Sequence, residues 1–476
     1  MKMPRYGYWM ALPAAALAVA CLAPTALGQD ALPPAPAQPV PPPPPIRAPS
    51  LPQIAEQAGA PAFRVISGPL SVEEAVKVAL TESPMLRQAQ EEVARAKAQI
   101  GSARALTRFR LSTTLYGATG NMDNILTTSP GVEPADLLAM PRRPFGDFNL
   151  MAMYPLYTGG KLGAAMREAE ARYGASDASR RSAQLDIGLE VRQRYYQALQ
   201  AAEIVKAYEQ WVAAAEENVR VTQERYDVGK TPLYDVLRAQ TDLANVVQEL
   251  TNARSAAEVA LAALRTAMGV DLTSAPTLTD SLATQVTEAT LSAELEAAEK
   301  DRPELAEAGQ LIAAQAQAVA QARAAYDPQV YGIGMNDLQT GREIGTRGGY
   351  TVGVVASLPL LDGGGRRSYV NEQEAELRRL ESSRRGIRLE VRNQVSGAWV
   401  RLHAAQQNVL TSQAALAQAQ EDYRIASLRY ETGKGILVER LDALTALVRA
   451  QVNNLNARYE LAAAKAELDR AVGRGT

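Results

Sequence analysis

The sequence predicts a mainly α-helical protein with a membrane β-barrel element: tandem-duplicated long helical hairpins, and four β-strands per chain at one end of them. Three observations predict it. A six-residue turn occurs twice, as Arg225-Tyr226-Asp227-Val228-Gly229-Lys230 and as Arg429-Tyr430-Glu431-Thr432-Gly433-Lys434. A second marker, Pro155-Leu156-Tyr157-Thr158-Gly159-Gly160, returns as Pro359-Leu360-Leu361-Asp362-Gly363-Gly364. Both pairs share one offset of 204 positions (229 to 433, 159 to 363), which unlike markers reach through duplication. Finally, helical periodicity between each Gly-Gly and the next turn runs unbroken over residues 161–228 and 366–432. At 1.5 Å per residue each stretch is about 100 Å long, too long for a compact domain and suited to a rod.

The N-terminus reads as an export signal. Lys2 and Arg5 precede an apolar run over 10–22, too short to span a bilayer comfortably. Ala26-Leu27-Gly28 is a small-x-small cleavage site, giving a leader over 1–28. A second reading stays open, in which Cys21 is the acylated first residue of a lipoprotein; the residue three before it is Ala18 rather than the usual Leu. Residues 29–62 are proline-rich and read as an extended tether.

Residues 63–270 form the first repeat. Ser71 opens a helix with Glu74 three residues on, a capping box. The helical pattern continues to about Leu106 with a break near Ser83-Pro84. Residues 109–119 then alternate apolar and polar, as a strand with one greasy face does. A Pro- and Gly-containing loop follows, and a second strand covers 147–157 with Phe148, Leu150, Ala152, Tyr154 and Leu156 on one side. In the long helix, Ile187, Val191, Tyr195, Ala198, Ala202, Val205, Tyr208, Trp211, Ala215 and Val219 recur at three and four and make a seam. Gly229 stands where a helix end wants positive φ, and Pro232 suits the first position of the next helix, which runs to Met268.

Residues 271–290 read as an irregular connector, and 291–473 as the second repeat. Its elements are one helix over 291–326, strands over 328–336 and 350–360 around a Gly-rich loop, the second long helix, and a final helix over 437–472. The helices before the strands and after the turns are each about half the length of the long ones. The connector and both ends of the folded chain therefore fall at a halfway, equatorial level.

The four strands have the length of membrane-spanning β-strands. Sheets in lipid must close, and four strands are fewer than the roughly eight of the smallest single-chain barrels, so copies of the chain must complete the wall. Phe109, Phe145, Phe148, Tyr116, Tyr154, Tyr157, Tyr331 and Tyr350 lie in or beside the strands, as aromatic girdles require. The competing reading is a small soluble sheet capping a helical rod.

Composition excludes other classes. The formal net charge of −2 argues against a nucleic-acid partner. One Cys and one His leave no internal disulfide and no Cys/His zinc site. His403 sits mid-helix without an evident Ser or Asp partner, and Glu224 occupies the first glycine position that a phosphate loop ending at Lys230-Thr231 needs. Neither an enzyme activity nor a cofactor is expected.

The duplication, the strand–Pro-Leu-x-x-Gly-Gly–helix junctions and the twin Arg-Tyr-x-x-Gly turns resemble the TolC family of outer-membrane efflux proteins. The resemblance covers about 70–473. It implies a homotrimer whose twelve strands form a barrel in outer-membrane lipid, continued by a helical tunnel across the periplasm. It also implies docking to a periplasmic adaptor (membrane fusion) protein and an inner-membrane transporter of RND or ABC type. The runner-up is a periplasmic coiled-coil adaptor.

Site residues follow from the resemblance. Glu439 and Asp442, three apart on one helix face, match acidic residues whose rings constrict the periplasmic mouth. Spacing alone fits a solvated face as well, and the first half has Asp235 and Arg238 there. Tyr430 and Asp235 match positions that link the helix pairs near the tip, so a Tyr430–Asp235 bond is expected. Gly435 departs from the pattern where some members carry a locking Arg, leaving Lys434 as a substitute. The adaptor-docking tip comprises Arg225, Tyr226, Gly229, Lys230, Arg429, Gly433 and Lys434. Pro155, Gly159, Gly160, Pro359, Gly363 and Gly364 mark the barrel–tunnel junction.

Overall fold

The computed structural model describes residues 63–118, 145–282, 289–341 and 345–475. The leader with Cys21 and the Pro-rich tether lie outside them. The order is β1 (Ser67–Leu70), α1 (Val72–Glu82), α2 (Pro84–Ala105), β2 (Arg110–Ala118), β3 (Phe145–Tyr157), α3 (Lys161–Asp227) and α4 (Leu233–Met268). The second half follows as β4 (Ala275–Leu278), α5 (Leu291–Asp301), α6 (Pro303–Arg323), a 3-10 turn (Ala324–Tyr326), β5 (Gln329–Gly341), β6 (Gly345–Ser357), α7 (Gly365–Glu431) and α8 (Leu437–Val472).

The two long helices α3 and α7 hold 67 residues each, hence about 100 Å. The return helices α4 and α8 hold 36 residues each. α3 is the spine: it packs along α2, α4, α6 and α8, while α7 lies against α6 and α8. Alanine is the common contact residue, and small side chains let these helices approach closely. Of the expected seam, Ile187, Val191, Tyr195, Ala198 and Ala215 are buried and the rest half-buried. No helix among the described residues is long and apolar enough to cross a membrane.

β2, β3, β5 and β6 form one antiparallel sheet in that order. The β3–β5 ladder joins the two halves, pairing Met151 with Met335 at its middle. β2 and β6 are the outer strands, and each leaves one rim of amides and carbonyls without a paired strand among the described residues. On β6, Tyr350, Val352 and Val354 alternate outward and are highly exposed.

Several expected boundaries change. β5 and β6 run to Gly341 and from Gly345, because the glycines of that stretch pair in register (Gly341 with Gly345, Leu338 with Gly348) instead of forming a wide loop. β6 stops at Ser357, two residues before Pro359, which has no N–H to donate. The helix expected over 291–326 breaks at Arg302, because Pro303 cannot take the N–H position of a continuous helix and instead starts α6. Pro232 is the residue before α4, in extended backbone, rather than its first member.

The connector read as irregular holds one strand of a parallel ladder, and the other strand precedes α1. β1 pairs with β4, Ser67 against Ala275 through Leu70 against Leu278. Each strand is four residues long and contains a proline, so neither shows a period-2 signal. The fully buried Tyr195 of α3 secures the ladder's end: its hydroxyl donates to Leu70 O at 2.8 Å and accepts from Asp280 N at 3.3 Å. Burial pushes the Tyr195 phenol up to about 12. A core of Val76, Leu86, Val191, Leu264 and Met268 surrounds it. The second half has its own equatorial core of Val391, Val395, Leu402, Leu461 and Val472.

Candidate functional site at the helical tip

The two repeated turns close α3 and α7 in one way. Gly229 and Gly433 both sit at φ 74°. Lys230 N donates to Arg225 O and Gly229 N to Tyr226 O, both at 2.8 Å; Lys434 N and Gly433 N repeat the pattern on Arg429 O and Tyr430 O. This is the double carbonyl cap that a left-handed glycine allows at a helix end. Both turns therefore come from local sequence, and they present Lys230 and Lys434 outward.

Tertiary contacts at the two tips differ. Tyr430 is 4% exposed and packs with Ala239, Leu437 and Leu441, while Tyr226 is largely exposed. The Tyr430 ring lies between two guanidinium groups, Arg225 at 4.2 Å and Arg440 at 5.4 Å from its centroid. Arg225 also donates to Tyr430 O at 3.0 Å and Glu431 O at 3.3 Å. A cation from the end of α3 thereby caps the carbonyl end of α7, where the helix dipole favours it. The Tyr430 hydroxyl lies 3.4 Å from Thr222 Oγ1.

The expected Tyr430–Asp235 bond is absent from this arrangement. Asp235 accepts from Thr231 Oγ1 at 2.6 Å, four residues away in its own turn, and Tyr430 is directed at α3 instead. A side chain at Gly435 would crowd the turn, since its Cβ would stand 3.0 Å from Arg429 Cβ and 3.2 Å from backbone of Arg429 and Tyr430. The exposed Lys434 side chain has no ion pair among the described residues. Sequence reasoning missed Arg225 as the bridging residue and Thr222 as the phenol's neighbour; both act from the first repeat on Tyr430 of the second, which spacing along one helix does not reveal.

Glu439 and Asp442 lie in the first two turns of α8, both exposed. Glu439 Oε2 is 3.6 Å from Arg429 Nη2. The charge of Asp442 reaches Asp242 of α4, a residue the sequence did not single out. Partial burial raises the Asp242 carboxyl above its usual value; Asp442 raises it further, and Arg238 opposes.

At the other end, Gly160 and Gly364 cap α3 and α7 in left-handed conformation, after Gly159 and Gly363 also at positive φ. Pro155 pairs with Tyr331 just before the ladder's register shift, and Pro359 lies beyond the end of β6. His403 stacks on Trp399 at 3.8 Å, with Nδ1 3.0 Å from Trp399 O, one turn back on α7. Among the described residues no group of three or more His, Cys, Asp or Glu is placed to hold a metal.

The outer membrane efflux protein family matches this chain over residues 75–270 and 295–474. The chain belongs to the outer membrane efflux protein family. Its fold is that family's: the Campylobacter jejuni CmeC outer membrane channel superposes with a TM-score of 0.70 over 85% of this chain and 86% of that one, at 19% identity. Among sequence relatives, Protein CyaE of Bordetella pertussis is 28% identical over 399 residues, 82% of this chain and 79% of CyaE. Proteases secretion protein PrtF of Dickeya chrysanthemi is 26% identical over 200 residues, 40% of this chain. The match spans 43% of PrtF, less than half its length. As an efflux-family chain, this protein carries twin helical hairpins with a four-stranded sheet at one end of them.

Proposed function

We propose that this protein is the outer-membrane exit duct of an export system and conducts cargo passively from periplasm to exterior. The observation that carries the reading is the four-stranded sheet with two open rims, set at one end of helices about 100 Å long. In lipid such rims must be paired, and three copies joining β2 to β6 give a closed twelve-stranded wall. The helical hairpins of the three copies continue the bore into the periplasm. An adaptor-only role gives no use for this sheet.

Energy then comes from partners. A periplasmic adaptor binds the Arg225–Lys230 and Arg429–Lys434 tips, and an inner-membrane transporter of RND or ABC type loads the tunnel. The name of PrtF, a proteases secretion protein, favours a secreted polypeptide as cargo, and that of CmeC a channel more generally. Glu439 and Asp442 of three copies ring the mouth and select for cations, while the Arg225–Tyr430–Arg440 stack keeps the two hairpins of each copy together.

The test is the purified protein in detergent. It should migrate as a heat-dissociable trimer, fractionate with outer membranes, and give a small cation-selective conductance in planar bilayers. Replacing Glu439 and Asp442 by Ala should lower cation selectivity several-fold. A monomer without conductance would overturn the reading.

A further inference from the structure

A cavity of about 980 Å³ lies beside the break between α5 and α6, and α3, α6, α7 and α8 all contribute to its wall. Leu189, Leu311, Leu380 and Ile387 give that wall a largely apolar character. The space persists partly because α7 brings only Ser383 and Gly386 to it between Leu380 and Ile387; a Cβ added at Gly386 would meet nothing within 4 Å. Its volume is that of pockets that hold drug-sized molecules.

The charges around the cavity do not balance. All three arginines of its wall are ion-paired: Arg302 with Glu304 at 2.9 Å, Arg470 with Asp186 and Glu304 at 2.6 Å each, and Arg401 with Glu467 at 3.0 Å. Two further carboxylates of the wall have no cation. Glu307 makes no hydrogen bond or ion pair among the described residues, and Glu390 accepts only from the neutral Gln394, at 3.0 Å. Glu307 is half-buried, and burial, followed by the charge of Glu304, holds its carboxyl above the usual value. An unpaired carboxylate beside apolar surface is unfavourable, and a cation relieves it.

The first repeat shows that the break alone does not produce this arrangement. Pro84 starts α2 as Pro303 starts α6, and the cavity beside that break holds about 450 Å³. Counted from the two prolines, the place of Glu307 is taken by the neutral, exposed Gln88. The larger space and the uncompensated acid occur together in the second repeat.

We propose that this cavity binds a lipophilic monovalent cation, its charge facing Glu307 and Glu390 and its apolar body lying against Leu189, Leu311, Leu380 and Ile387. A hydrated metal ion has no use for the apolar wall, and an anion would meet two carboxylates. A cationic side chain of a second copy offers the same charge and is the competing occupant. One chain builds the whole cavity, so the site stands apart from conductance through the duct.

The test uses the full-length protein in uncharged detergent and tetraphenylphosphonium as the probe. Equilibrium dialysis should show saturable binding above the linear uptake of the micelles, whereas tetraphenylborate, the anion of the same shape, should show the linear part only. Glu307→Gln should weaken binding by roughly ten-fold and Glu390→Gln by several-fold. Gly386→Leu places a side chain in the open space and should abolish binding, while Glu249→Gln, which neutralises an exposed acid of α4, should leave it unchanged. In crystals soaked with tetraphenylarsonium the arsenic anomalous peak should lie in the cavity, a measurement that needs no variant. Uptake that never saturates, equal binding of tetraphenylborate, parental affinity in both Glu307→Gln and Gly386→Leu, or a cavity filled by a side chain of a neighbouring copy would overturn the proposal.

Discussion

Single residues at the tip show what the sequence conveys and what it hides. Tyr430, Asp235, Glu439 and Asp442 are singled out by the family resemblance, and the structure puts them all at one end. Their partners were not legible. Asp235 is bonded within its own turn and Tyr430 is held by Arg225 and Thr222, contacts that arise only when two hairpins are laid side by side. Asp242 was hidden because an acid on a helix looks solvated until its neighbour is known. Its raised carboxyl carries a pH dependence. A carboxyl that holds its proton more tightly in the folded state destabilises that state once ionised, so the tip should tighten as pH falls through the raised value and loosen above it. Asp242→Asn should remove this trend and stabilise the tip at neutral pH by up to about 1 kcal/mol, given the partial burial of the site. Amide hydrogen exchange near Leu441 and Leu444, followed in both proteins from neutral pH down through the ordinary carboxylate range, measures it.

At the level of elements, long helices and tight turns follow from local rules and short pairings do not. The 67-residue helices and their glycine caps were readable because periodicity and positive-φ glycine act over a few residues. β1 and β4 were not, since four residues with a proline carry no period and the ladder depends on a partner 208 positions away. The cap makes a local prediction. Gly433→Ala forces a side chain into left-handed backbone at a cost of about 1–2 kcal/mol. Nothing lies within 4 Å of the Cβ it would add, so the damage is conformational and confined to the turn. Exchange protection at Gly433, Lys434 and Gly435 should drop by roughly ten-fold while the global unfolding midpoint stays near that of the parent.

For the whole molecule, closure at the equator rests on one buried cation. Arg302 donates to Arg470 O at 3.1 Å, Ala471 O at 3.2 Å and Gln394 Oε1 at 2.7 Å, and lies 2.9 Å from Glu304. It ties the break between α5 and α6 to α7 and to the carbonyl end of α8. Arg302→Met should cost about 3–5 kcal/mol, because Glu304 loses a charge partner and the end of α8 loses its donor. Thermal unfolding should show a large downward shift, with the tip turns unchanged by exchange. The duplicated plan was legible at this scale from two markers and one offset. The equatorial break was not, since Pro303 reads as a tolerated helix start as readily as an interruption.

The β1–β4 clasp has a consequence for how the chain is finished. Between Leu70 and Ala275 the backbone climbs to the sheet, descends the full length of α3, turns and comes halfway back. Those two short segments can zip together only when that excursion is already in place, since loop closure over so many residues is unfavourable until intervening contacts exist. The clasp is therefore a completion mark, a belt whose pairing follows the laying down of the first hairpin in its correct length.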